Sequence, residues 1–159
     1  MEQPVLTWRT PPELLDPIRS FLGAIDLDPC GHPASLVRAT RQILPPESGL
    51  DAQWAGRVFC NPPYSDPKPW VSKCAIFGLG PGEVVALLKL DPSTSWWPPC
   101  WWGSVVFLAK RVRYVGPEGQ GNSANFPSAL VYWGRRHSEV RSHLAHLGRV
   151  VSPIPLRRA

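Results

Sequence analysis

Apolar positions along this chain switch between two periods. Leu14, Leu15, Ile18, Phe21 and Leu22 recur at helical spacing and Gly23 ends the run, which predicts an amphipathic helix. Thr10-Pro11-Pro12-Glu13 ahead of it reads as a capping box, with Thr10 at the N-cap and prolines in the first turn. Pro17 is a candidate kink. Ala24 to Asp28 then alternates, with Ile25 and Leu27 on one face, and predicts a strand that ends on an acidic residue. Ala34 to Gln42 reads as a weak helix, and Leu44 to Trp54 is turn-rich. Val58 and Phe59 form a short strand that stops at Asn61-Pro62-Pro63. Pro69 to Phe77 reads as a helix with Trp70, Cys74 and Phe77 on one face and Gly78 as its stop. Glu83 to Leu90 is almost continuously apolar, the mark of a strand buried on both faces. Ser104 to Leu108 and Phe126 to Trp133 are further strands, and Val140 to Val150 is a helix or a helix–strand pair. Gly116 to Asn125 reads as a loop. Strands that interleave with helices predict an α/β sheet whose carboxyl edge binds ligands.

Composition narrows the picture. The chain has 159 residues, 43% of them hydrophobic, which fits one domain with a real core and residues 1–9 as a loose arm. No apolar run is long enough to span a membrane and no signal-peptide pattern opens the chain, so a cytoplasmic location is expected. Cys30, Cys60, Cys74 and Cys100 are then expected reduced; they form no C-x-x-C pair, which argues against zinc. His143 and His146 share a helical face but lack a carboxylate partner, so no metal site is assigned. A net charge of +5 is compatible with a polyanionic partner. Lys110, Arg111 and Arg113 alternate with apolar residues and form either a phosphate-facing surface or a solvated strand face. Trp96, Trp97, Trp101 and Trp102 are either a stacking surface for bases or a packed helix.

The chemistry concentrates at Asn61-Pro62-Pro63-Tyr64. Two prolines stiffen the loop and leave carbonyls without competing donors. The Asn61 side-chain oxygen and the Pro62 carbonyl can accept both hydrogens of an amino group whose lone pair is delocalised, and the Tyr64 ring can stack on a planar base. The competing reading is a proline-rich turn. Asp28, at the tip of an earlier strand, can accept hydrogen bonds from an ammonium or hydroxyls, or can simply start a turn before Pro29. No G-x-G-x-x-G loop is present, which disfavours a pyrophosphate ligand.

In order along the chain, Thr10-Pro11-Pro12-Glu13, Leu27-Asp28-Pro29-Cys30, Gly49-Leu50 with Trp54, Arg57 to Ser65, Trp70-Val71 and Phe126 to Val131 resemble the phage-type DNA N-6-adenine methyltransferases, Dam-like enzymes of phages and prophages. The resemblance implies a compact, Rossmann-like S-adenosylmethionine-dependent sheet with flanking helices. It implies direct methyl transfer to a flipped adenine in DNA, with Asn61, Pro62, Pro63 and Tyr64 catalytic. It also implies that Thr10, Asp28 and Pro29 lie near the cofactor; Pro11 and Cys30 adjoin them and are expected there too, and Phe59 and Tyr64 are the candidate aromatic faces for the sulfonium. Ser48 stands where relatives often carry Asp, so Asp51 or Glu47 is the expected substitute for the adenosine contact. The interval from Asp28 to Asn61 is short for a full set of crossovers, which predicts a trimmed sheet. Lys110, Arg111, Arg113, Trp96 and Trp97 are the expected DNA contacts. With no separate target-recognition domain, loops would read the duplex, and selectivity would be short. The alternatives are methylation of another amino acceptor, an RNA base or a protein glutamine, and a non-catalytic nucleic-acid-binding protein.

Overall fold

A computed structural model describes residues 8–153; within them the chain forms a seven-stranded mixed sheet, a separate two-stranded hairpin and flanking helices. In chain order these are α1 (Pro12–Leu22), β1 (Leu27–Asp28), β2 (Arg41–Gln42), β3 (Arg57–Cys60), α2 (Lys68–Leu79) and β4 (Glu83–Lys89). There follow a 3₁₀ turn (Pro98–Trp102), β5 (Ser104–Leu108), β6 (Arg113–Val115), β7 (Gly121–Ser123), β8 (Ser128–Trp133), α3 (His137–Leu144) and β9 (Gly148–Val151). The sheet order is β2-β1-β3-β4-β8-β5-β9. Its first four strands are parallel, and β8 enters antiparallel between β4 and β5.

Period two along β4 divides the core between the two faces. Val85 and Leu87 join Leu15, Ile18 and Phe21 of α1 and Val140 of α3 on one face. Val84, Ala86 and Leu88 join Val71 and Cys74 of α2, with Trp97 and Trp133, on the other. Each such fully buried side chain is worth about 1.5–3 kcal/mol, so covering both faces makes β3 and β4 a rigid base for whatever their ends carry. From β1 the chain moves to β2 on one side and returns to β3 on the other, then continues to β4. The carboxyl tips of β1 and β3 therefore flank the point where strand order reverses, which is where open α/β sheets form a crevice.

Several local expectations need correction. Residues 34–42 form bends and β2 in place of a helix: Arg38 adopts a left-handed φ of 56°, and the Thr40 and Arg41 amides pair with Ile25 and Asp26 carbonyls. Pairing with the neighbouring strand outweighs weak helical propensity there. Gly78 does not stop α2. It lies inside the helix because a Cβ there would stand 2.4 Å from that of Trp133, so the glycine allows close helix–sheet contact. Residues 116–125, expected as a loop, contain the β6–β7 turn and β7 itself. The N-cap of α1 is Pro11 and not Thr10, and no side chain caps it. Pro17 sits inside α1 without ending it. Of the expected N-terminal arm, residues 1–7 lie outside the described residues, as does the basic Leu156-Arg157-Arg158 end; Arg9 is tied to Val115 by a backbone bridge. Among the described residues no helix is long and apolar enough to cross a membrane, and no group of three or more His, Cys, Asp or Glu could hold a metal ion.

Candidate active site

The Leu27↔Val58 register sets the tips of β1 and β3 side by side. Asp28 ends β1 and is 3% exposed. Its Oδ1 accepts the Cys30 amide at 3.0 Å, a local turn bond that folds Pro29-Cys30 back over the strand end. Burial pushes the Asp28 pKa up to about 6, against the Cys30 amide and the Ser35 hydroxyl, which lower it. A carboxylate so short of donors can take hydrogen bonds from a ligand's ammonium or hydroxyls. The tip is backed by Gly49, whose missing Cβ would stand 2.1 Å from the Pro29 carbonyl oxygen. Trp54 donates to the Gly49 carbonyl at 2.8 Å, and the Lys73 ammonium of α2 donates to the Leu50 and Ala52 carbonyls at 2.6 Å. The Gly49-Leu50…Trp54 pattern is thus a brace under the Asp28 loop.

Asn61 leaves β3 directly. Its Nδ2 donates to the Thr10 hydroxyl at 3.2 Å, and the Tyr64 hydroxyl donates to its Oδ1 at 3.4 Å. The Tyr64 and Tyr114 hydroxyls are bonded to one another. Tyr64 is 40% exposed, while its hydroxyl end is tucked against Tyr114; burial of that end raises its pKa, which the bond to Tyr114 partly opposes. Its ring meets the Phe126 ring edge-on at 5.1 Å. The Pro62 carbonyl accepts from no protein donor among the described residues.

Two hollows meet at this loop. One, about 550 Å³, is lined by Trp8, Arg9, Thr10, Asp28, Cys30, His32, Ser35, Val37, Phe59 and residues 61–64. The other, about 420 Å³, is lined by Trp8, Asn61, Tyr64, Tyr114, residues 122–125 and Phe126. Asn61 and Tyr64 belong to both, so a group bound in either hollow lies against the same amide and phenol.

Of the residues singled out from sequence, Thr10, Asp28, Cys30, Phe59, Asn61, Pro62, Pro63 and Tyr64 share the first hollow. Pro29 lines a neighbouring hollow with Glu47, Gly49 and Trp70. Pro11 lines a different groove altogether, and Asp51 is exposed and lines none of these hollows, whereas Glu47 shares a hollow with Pro29 and Cys30. Trp97 is corrected: it is fully buried among Cys74, Cys100 and Trp133 and cannot stack on a base. Trp96 is half-buried beside Pro62 and Tyr64. Lys110, Arg111 and Arg113 are exposed and line a groove of about 660 Å³ with His146. Alternation along β6 points Tyr114 toward Tyr64 and puts Arg113 in that groove, away from the Asn61–Tyr64 loop. Tyr114, His32 and Ser35 are site residues that the sequence did not mark out, whereas Asn122 and Asn125 fall in the segment 116–125 expected to read the duplex. The alternation of Arg113-Tyr114-Val115 was the available signal for Tyr114.

A family model described as DNA N-6-adenine-methyltransferase (Dam) matches residues 4–151. The chain belongs to this Dam family. Among curated proteins, the DNA N-6-adenine-methyltransferase of Haemophilus phage HP1 is 36% identical over 92 residues, 57% of this chain and 50% of that protein. The chain thus spans about half the length of that relative.

Proposed function

We propose that this protein methylates the exocyclic N6 of adenine in DNA, using S-adenosylmethionine and a base turned out of its stack. The observation that carries the reading is the position of Asn61-Pro62-Pro63-Tyr64 on the border between two hollows, with a donor-poor Asp28 carboxylate in one and aromatic and amide side chains in the other. We read the sheet as a trimmed Rossmann-like methyltransferase sheet, supported by the crevice at its strand-order reversal. Membership of the Dam family supports the same reaction.

The residues of the first hollow fit the cofactor. Asp28 accepts the Cys30 amide and keeps further lone pairs for an ammonium or hydroxyl group, and Cys30, Phe59 and Val37 offer apolar walls. When bound, S-adenosylmethionine supplies an electrophilic sulfonium methyl. The chain's own work is then orientation. Asn61 Oδ1 and the Pro62 carbonyl accept the two amine hydrogens and hold the nitrogen lone pair in line for attack. The Asn61 carbonyl oxygen has two lone pairs, so Tyr64 and the amine can both use it. The Tyr64 ring supplies a stacking face, with Phe126 at its edge. Burial, with Cys30 and Cys74 beside it, pushes the Cys60 thiol well up, so Cys60 does not compete as a nucleophile. The amine proton leaves to water.

Base reading around the second hollow falls to Asn122 and Asn125. At about 1–3 kcal/mol of discrimination per good base contact, these side chains specify a short recognition site. Lys110, Arg111 and Arg113, in their separate groove, hold backbone phosphates at a distance from the second hollow without reading bases. The test is a calorimetric titration with S-adenosylmethionine, followed by transfer of radiolabelled methyl groups to DNA, RNA and protein in parallel. Binding with label in DNA supports the reading. Label confined to RNA or protein contradicts the acceptor, and DNA binding without cofactor binding contradicts the activity.

A further inference from the structure

We propose that Tyr114 is a positioning residue for methyl transfer: from the β6–β7 hairpin, its hydroxyl orders that of Tyr64 and, through it, the acceptor oxygen of Asn61. The inference rests on the reading that Asn61 and Tyr64 face the acceptor base.

The direction of the chain of bonds follows from counting protons. Asn61 Oδ1 only accepts, so the 3.4 Å contact takes the single proton of the Tyr64 hydroxyl. The bond between the two phenols must then be donated by Tyr114. At the far end, Asn61 Nδ2 is held by Thr10, so the amide cannot turn over without breaking bonds on both sides. The order is therefore Tyr114 to Tyr64 to Asn61 to Thr10, each group donating to the next, an arrangement in which neighbouring bonds polarise and strengthen one another.

Tyr114 is a suitable anchor because it is held on its other sides. Its ring is 8% exposed and belongs to the core under α1. Its strand pairs Tyr114 with Asn122 and continues to Val115, which bridges Arg9. Tyr64, by contrast, sits on an exposed loop after two prolines and has Phe126 at its ring edge as its aromatic neighbour. The buried phenol therefore fixes the tilt of the exposed one, and with it the stacking face offered to a base.

The test is a double-variant cycle on methyl transfer to a DNA duplex, with Tyr114→Phe, Tyr64→Phe and the pair. Each change removes a hydroxyl and keeps a ring. Tyr114→Phe is expected to lower kcat/KM for DNA by about three- to tenfold while leaving the S-adenosylmethionine Kd unchanged and lowering the Tm by no more than about 2–4 °C. The double variant is expected to lose no more than Tyr64→Phe does, because both remove one pathway. Full activity of Tyr114→Phe, or losses that multiply in the double variant, would overturn the proposal. A second readout needs no DNA. The chain has three tyrosines, so ¹³C-tyrosine spectra are assignable, and Tyr114→Phe should move the Tyr64 ring signals and leave those of Tyr132 in place. Unmoved Tyr64 signals overturn the coupling. Wild-type protein that transfers no methyl group to DNA overturns the proposed function instead, and the ring signals still decide for or against the coupling.

Discussion

The Asn61 side chain donates to the hydroxyl of Thr10 at 3.2 Å, joining the tip of β3 to the residue before the cap of α1 across 51 positions of the chain. The bond turns Asn61 Oδ1 away from Thr10 and toward Tyr64. Thr10 is therefore better placed to orient the Asn61 amide than to cap a helix. Thr10→Val keeps the shape and removes the hydroxyl. It should lower kcat by about three- to tenfold with the S-adenosylmethionine Kd unchanged, and Thr10→Ser should restore turnover. A weakened Kd with normal kcat would return Thr10 to the cofactor.

Asn61→Ala should lose about 10²–10³ in turnover while retaining cofactor affinity, because the amide acts on the acceptor amine. Single-turnover rates together with calorimetric binding separate the two effects. Near-normal turnover in the folded variant would remove Asn61 from the chemistry.

Asp28 gives a pH dependence of defined sign. Its pKa in the free protein is raised to about 6, so below that pH the carboxyl is protonated and accepts fewer ligand hydrogen bonds. A ligand that donates to the ionised form should bind more weakly as pH falls below about 6, by up to about tenfold per unit. Asp28→Asn should flatten this dependence. The same shift acts on folding in the other direction. The native form holds its proton to higher pH than the unfolded chain, so Asp28 favours the native state below the unfolded pKa and this contribution is lost as pH rises toward about 6. Asp28→Asn should therefore flatten both the binding and the stability profile in this range. Calorimetry across pH 5 to pH 8 measures the binding profile, and thermal melts across the interval from the ordinary carboxylate pKa of 3.8 up to about 6 measure the stability profile.

The tryptophan cluster separates core from surface. Trp97→Ala should cost about 3–5 kcal/mol of stability, since Trp97 is fully buried against α2 and the sheet. Trp96→Ala, at a half-buried position beside Tyr64, should cost less stability and act mainly on KM for DNA. Urea melts and steady-state kinetics distinguish them. Equal stability losses would contradict the assignment.

Strong periodicity carried the legible part of this fold. β4 and β5 were readable as a buried apolar run and a compact strand, and α1 as a five-residue apolar stripe. The end of β3 at Cys60 was readable because Pro62 and Pro63 follow Asn61 and cannot continue a strand. What was not legible depended on distant partners. β2 holds two exposed residues, Arg41 and Gln42, and exists because β1 offers its edge. Gly78 looks like a helix stop until Trp133 stands against it. Thr10 is an acceptable cap by local rules, and only the folded chain brings Asn61 within reach. Trp97 and Trp96 are adjacent in sequence and differ in fate because the 3₁₀ turn after them sends one ring inward.

On the proposed function, Asn61-Pro62-Pro63-Tyr64 directs a methyl group to the amino nitrogen of adenine in DNA. Incubating pure protein with duplex DNA and S-adenosylmethionine deuterated at its methyl group, then digesting to nucleosides for mass spectrometry, tests it directly. The expected result is deuterated N6-methyladenine from wild-type protein and its near absence with Asn61→Ala. Label in methylcytosine, or bound cofactor with no label in DNA, would contradict the account.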